Sequence, residues 1–146
     1  MPQTSNPYLN HSTRPLILVV DDEEGIRTAV VDLLEDEGFA VSAAGNGLEA
    51  LDLIADSETT PSLIMLDLMM RVMDGWAFCK LRQGVRVLRE IPVLAVSAGS
   101  MLGEREPVRV EATLSKPFDP DRLAWLATRM VYPRGLSQGH KAPPRH

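Results

Sequence analysis

The sequence predicts an α/β fold, a parallel sheet of five strands with helices on both faces, and three observations carry that expectation. Short apolar runs of strand length alternate with stretches of helical periodicity along the chain. The clearest run, Leu63-Ile64-Met65-Leu66, lacks polar alternation, as a strand buried on both faces requires. Four of the runs stop on chemically functional residues, at Asp21-Asp22, Asp67, Ser97 and Lys116. In open parallel sheets ligands bind just outside the carboxyl ends of the strands, so these groups are expected on one rim.

The elements follow in order. Leu16 to Val20 is the first strand, and after Asp21-Asp22 the acids Glu23 and Glu24 open a helix whose apolar residues Ile26, Ala29, Val30, Leu33 and Leu34 recur at helical spacing until Gly38 stops it. Phe39 to Ala44 is a second strand, and Gly45-Asn46-Gly47 turns into a helix over Leu48 to Ala55. The third strand ends at Asp67. Trp76 to Gln83 is a third helix with Gly84 as its break, and Val85 to Glu90 has room for one further helical turn. The fourth strand covers about Pro92 to Ser97. Gly99, Gly103 and Pro107 leave space only for a short or broken fourth helix, before a last strand at Ala112 to Ser115. Asp119-Pro120 starts the final helix, with Leu123, Leu126, Ala127 and Met130 as its core stripe and Trp125 on the other side. Five such units in this length suit a flavodoxin-like strand order better than a barrel.

A chain of 146 residues suits one compact domain over 16–131, between a leader at 1–15 and a basic tail at 132–146 that are both too polar to pack. Folding at this size buries roughly 70% of the unfolded surface, enough for a core without disulfides. Cys79 is the only cysteine and is expected to be an inert core thiol, compatible with a reducing cytosol. The start shows no basic segment followed by a long apolar one, so a cytoplasmic chain without membrane insertion is expected. All twenty acids fall between Asp21 and Asp121, a span that with Arg122 and Arg129 holds eleven bases, for a core charge of -9. Such a core argues against a general grip on nucleic acid.

Carboxylates on neighbouring strand ends supply the oxygen ligands that Mg²⁺ prefers, and Asp21, Asp22 and Asp67 fit that pocket. A carboxylate can also attack phosphorus when a metal and a cation neutralise the transferring group. In that scheme Asp67 is the nucleophile, Lys116 pairs with a phosphoryl oxygen and Ser97 hydrogen-bonds the bound group.

Val19-Val20-Asp21-Asp22-Glu23, Leu66-Asp67-Leu68-Met69 with Met73-Asp74-Gly75, Val96-Ser97-Ala98 and Leu114-Ser115-Lys116-Pro117-Phe118 together resemble the bacterial response-regulator receiver domain, over about Pro15 to Val131. The resemblance implies phosphoryl transfer from a histidine kinase or histidine phosphotransfer protein onto Asp67. It also implies a Mg²⁺ site formed by Asp22, Asp67, the Met69 backbone carbonyl and, through water, Asp21. Arg71 and Gly25 stand where the family usually has proline, and Thr113 replaces its usual switch aromatic. All three are expected outside the acid pocket, leaving acceptance intact and output altered. Met69 and Gly99, at positions that influence water access in the family, have no side chain to orient water, so slow self-dephosphorylation is expected.

After Val131 no DNA-binding helix pair fits, so a stand-alone receiver is expected, a monomer or weak dimer acting through relay or an unidentified downstream protein. Trp125 with Arg122, Arg129 and Thr113 is a candidate interface, and Lys80, Arg82, Arg86 and Arg89 are expected to form a solvated basic face. Two other readings compete. One is a phosphorylation-independent adaptor with a relict pocket. The other is a dinucleotide-binding enzyme, from Gly45-Asn46-Gly47-Leu48-Glu49-Ala50, although that motif belongs after the first strand.

Overall fold

The structure, a computed structural model, describes residues 14–98 and 109–133. Ten elements follow in chain order: β1 (Leu16–Val20), α1 (Glu24–Asp36), β2 (Ala40–Ala44), α2 (Gly47–Asp56), β3 (Leu63–Asp67), α3 (Gly75–Gly84), α4 (Arg86–Arg89), β4 (Val93–Ala98), β5 (Ala112–Lys116) and α5 (Pro120–Val131). The strands form one parallel sheet in the order β2-β1-β3-β4-β5, the flavodoxin-like arrangement.

Strand alternation divides the core into two layers. Leu18, Val20, Ile64, Leu66, Val93 and Ala95 face one side, where Ala50, Trp76, Phe78 and Leu88 of α2, α3 and α4 cover them. Ile17, Val19, Leu63, Met65, Leu94 and Val96 face the other, against Val30 and Leu34 of α1 and Leu123 and Ala127 of α5. β3 is buried at every position, which is why its sequence shows no polar alternation.

The helix starts are fixed locally. Asn46 Oδ1 accepts from Glu49 N at 2.9 Å while Glu49 Oε1 accepts from Gly45 N at 2.9 Å, a reciprocal cap at the start of α2. Asp74 and Asp119 cap α3 and α5, their carboxylates accepting from Ala77 N and Asp121 N. The stop after α1 is Gly38, held in the left-handed region at φ 100°.

The final helix differs from its expected packing. Leu123 and Ala127 are buried, but so are Ala124 and Thr128, while Leu126 and Met130 only flank the core. Thr128 tolerates burial because its hydroxyl donates to Ala124 O at 2.8 Å. Tyr132, assigned by composition to the tail, stacks on Phe39 with ring centroids 6.4 Å apart. The remainder of the expected leader and tail, and the fourth helix expected between β4 and β5, lie outside the described residues.

Of the expected solvated basic face, Lys80, Arg86 and Arg89 are exposed, but Arg82 is not part of it. Its side chain is 2% exposed and salt-bridged to Glu111 at 3.0 Å. Its guanidinium also donates to the carbonyls of Leu88, Arg109, Arg89 and Ile91. Glu111 in turn accepts from Val93 N at 2.7 Å. A charge this deep is tolerated only when its donors are satisfied. The result is a pin joining α3, α4, β4 and the approach to β5 at the amino ends of the strands, opposite the acidic rim.

Candidate functional site

The register brings the predicted residues together. Val20 pairs with Leu66, so Asp21 and Asp67 leave β1 and β3 at the same level. Asp67 pairs with Val96, which puts Ser97 one residue farther along β4, and Ala98 pairs with Lys116 on β5. Carboxylate oxygens of Asp21, Asp22 and Asp67 all lie within 4.8 Å of one another. A hard divalent cation takes oxygens at such a spacing, with waters completing its shell.

Asp67 is 4% exposed. Its Oδ1 accepts from Met69 N at 3.0 Å and its Oδ2 from Lys116 Nζ at 3.4 Å. Lys116 also donates to Asp21 Oδ2 at 3.2 Å, so one ammonium lies between two buried carboxylates. Burial, aided by the negative charge of Asp21, outweighs the Met69 and Lys116 hydrogen bonds and raises the Asp67 pKa to about 6. Burial pulls the Lys116 ammonium down, but Asp21 and Asp67 overcome this and hold its pKa above the ordinary lysine value.

Ser97 is 1% exposed, and its Oγ is buried without a hydrogen-bond partner among the described residues. A buried hydroxyl left in this state costs about 1–3 kcal/mol. An oxygen-rich anion beside Asp67 and Lys116 would satisfy it.

The loop after β3 is set by close backbone approach. Gly75 N donates to Leu68 O at 3.0 Å, and a Cβ on Gly75 would lie 2.5 Å from Leu68 Cα and 2.8 Å from Asp67 O. Gly47 faces the same loop, where a Cβ would lie 2.9 Å from Met73 O. Gly45-Asn46-Gly47 is thus a capped turn that admits the β3–α3 loop, which accounts for its glycine without a nucleotide.

Arg71 corrects the expectation that the departures lie outside the acid pocket. Its backbone N donates to Asp22 Oδ2 at 3.2 Å and its Nε to the same oxygen at 3.3 Å. No apolar period or charge run marks this contact in the sequence, because it joins residues 49 positions apart. Gly25, in the first turn of α1, and Thr113, on β5, are exposed. Met69 is also exposed, while Gly99 lies outside the described residues. Trp125 is half-buried rather than free, with the Arg129 guanidinium 5.1 Å from its ring, and Arg122 is exposed. Cys79 is buried in the core, and burial pushes its thiol up to about 11, which suits an inert residue. Among the described residues no helix is long and apolar enough to cross a membrane.

Comparison with known proteins agrees with this geometry. A family model described as the response regulator receiver domain matches residues 17–127. The response regulator Rre1 of Synechocystis is 42% identical over 79% of this chain, which spans about half (51%) of that protein's length. The polar-differentiation response regulator DivK of Brucella anthropi is 37% identical, over 73% of this chain and 88% of its own. Among solved structures, the chemotaxis response regulator CheY4 of Vibrio cholerae superposes with a TM-score of 0.73 at 29% identity, covering 81% of this chain and 99% of that one. The receiver domain of the sensor histidine kinase PA1611 of Pseudomonas aeruginosa, described with a magnesium ion coordinated in its active site cleft, matches with a TM-score of 0.72 at 23% identity, over 82% of this chain and 98% of that one. The chain belongs to the response regulator receiver domain family, the phosphoryl-accepting switches of two-component signalling.

Proposed function

We propose that Asp67 is the phosphoryl acceptor of this receiver and that the donor is a histidine kinase or a histidine phosphotransfer protein. The observation that carries this reading is the buried Ser97 hydroxyl beside the Asp67–Lys116 pair, which has no partner among the described residues. Ion pairing and capping account for the acids and the lysine in purely structural terms. They do not account for a buried hydroxyl that has no acceptor among the described residues.

In the reaction a carboxylate oxygen of Asp67 attacks the phosphorus of the donor phosphohistidine. The new O–P bond forms as the P–N bond breaks, and the imidazole nitrogen leaves. Lys116 holds Asp67 in place and then pairs with a phosphoryl oxygen, while Ser97 donates its hydroxyl hydrogen to another. Asp21, Asp22, Asp67 and the Met69 backbone carbonyl are the residues that would hold Mg²⁺, whose role when bound is to neutralise charge on the transferring group. The fit rests on the three clustered carboxylates and on the buried Ser97 hydroxyl, unpartnered among the described residues.

The unit that folds and accepts the group is the 16–131 segment. It acts in the cytoplasm, as a monomer or weak dimer, and passes its signal by protein contact or onward relay. Met69 has no group to orient water at the acyl phosphate, so a lifetime well beyond seconds is expected. Incubation with a small acyl-phosphate donor and Mg²⁺, followed by borohydride reduction and peptide mapping, tests the assignment. Reduction of the acyl phosphate at position 67 to homoserine is the expected outcome, and label confined to another carboxylate refutes it.

A further inference from the structure

Arg71 gives the pocket a feature that acceptance chemistry does not require. It places two donors, its backbone N and its Nε, on one oxygen of Asp22, at 3.2 and 3.3 Å. Lys116 already serves Asp21 and Asp67. The three clustered carboxylates therefore meet two tethered cations before any metal enters. A divalent ion approaching Asp22 meets a carboxylate one of whose oxygens Arg71 holds, beside the positive charge of its guanidinium.

On this basis, and resting on the metal-pocket reading above, we propose that Arg71 is a tethered competitor for the divalent cation at Asp22 and raises the Mg²⁺ concentration needed to fill the pocket. The Arg71 side chain is 86% exposed, so it can swing into water when displaced, and the competition is modest rather than prohibitive. The backbone donor persists in any residue except proline, so the side-chain charge can be tested separately. Removing an exposed pair and its repulsion of the metal should tighten Mg²⁺ binding about three- to tenfold at low salt.

The test is calorimetric titration of Mg²⁺ into the full chain, comparing wild type with Arg71→Gln, Arg71→Met and Arg71→Lys, each also combined with Asp22→Asn. Both uncharged variants should bind Mg²⁺ more tightly, and Arg71→Lys should return affinity toward wild type. The gap should narrow at roughly 0.5 M salt, where the screening length falls to a few ångströms. It should close in the Asp22→Asn background. A merely structural role for Arg71 would produce neither the salt dependence nor the lysine rescue. Normal Mg²⁺ binding unchanged by loss of the charge overturns the competition alone. Failure of wild type and both uncharged variants to bind Mg²⁺ at millimolar concentrations overturns the pocket reading with it.

Discussion

Replacing Gly75 with alanine separates two physical effects of opposite sign. Gly75 begins α3, and intrinsic propensity favours alanine over glycine by about 1 kcal/mol within a helix. Contact geometry opposes this. The added methyl would lie 2.5 Å from Leu68 Cα, 2.7 Å from Leu68 Cδ2 and 2.8 Å from Asp67 O. Two of those three atoms are backbone, so no rotamer change can clear them. Restoring ordinary contact requires the start of α3 and the end of β3 to separate by roughly 1 Å, and overpacking of this kind costs about 1–3 kcal/mol. The displaced backbone carries Asp67, and a shift of that size at a reacting group can slow chemistry by about 10²-fold. Urea denaturation should therefore show Gly75→Ala to be less stable than wild type, and phosphorylation by a small acyl-phosphate donor should slow by one to two orders of magnitude, on the order expected for such a shift. A variant more stable than wild type, phosphorylated at the wild-type rate, would refute the steric argument.

Three further outcomes follow from the packing and electrostatics. Arg82→Met should destabilise the domain by about 1–3 kcal/mol for each buried carbonyl, those of Leu88 and Ile91, that it leaves without a donor, and urea unfolding measures it; a loss under 1 kcal/mol would mean the pin contributes little. Asp67 has a folded pKa of about 6, above its unfolded value, so the folded state holds the proton more tightly and the associated stability fades as pH rises from about 4 through 6. Metal-free Asp67→Asn should accordingly gain about 1–3 kcal/mol over wild type at pH 7 and less at pH 5; a gap independent of pH would contradict the raised pKa. Cys79, buried and with its thiol pushed up to about 11, should react with a thiol reagent only at the rate of opening, and rapid labelling of the folded chain would count against it.

Much of this was legible in the sequence because it depends on local pattern. Apolar runs of strand length, the turn at Gly45-Asn46-Gly47, the helix start at Asp119-Pro120, and acids at strand ends each follow from residues close together in the chain. Parallel register then converts those strand ends into one site. Two features were not legible, for the same reason. Arg82 looks like any surface arginine in a basic stretch, because its partners, the carbonyls of Leu88, Ile91 and Arg109 and the carboxylate of Glu111, are assembled only by the fold. Arg71 falls in a loop, and its contact with Asp22 depends on β1 and β3 lying side by side. On α5 the helical period was right but its phase was slightly rotated. Ala124 and Thr128 are small enough to sit against the sheet where the bulkier Leu126 and Met130 remain at its margin.

We propose above that Asp67 accepts a phosphoryl group in a site completed by Mg²⁺. Intact mass after incubation with a small acyl-phosphate donor tests it most directly, for wild type with Mg²⁺, wild type with chelator and Asp67→Asn with Mg²⁺. One phosphoryl adduct on wild type with Mg²⁺, absent from the other two samples, is the predicted result. An adduct of equal yield on Asp67→Asn would contradict the account.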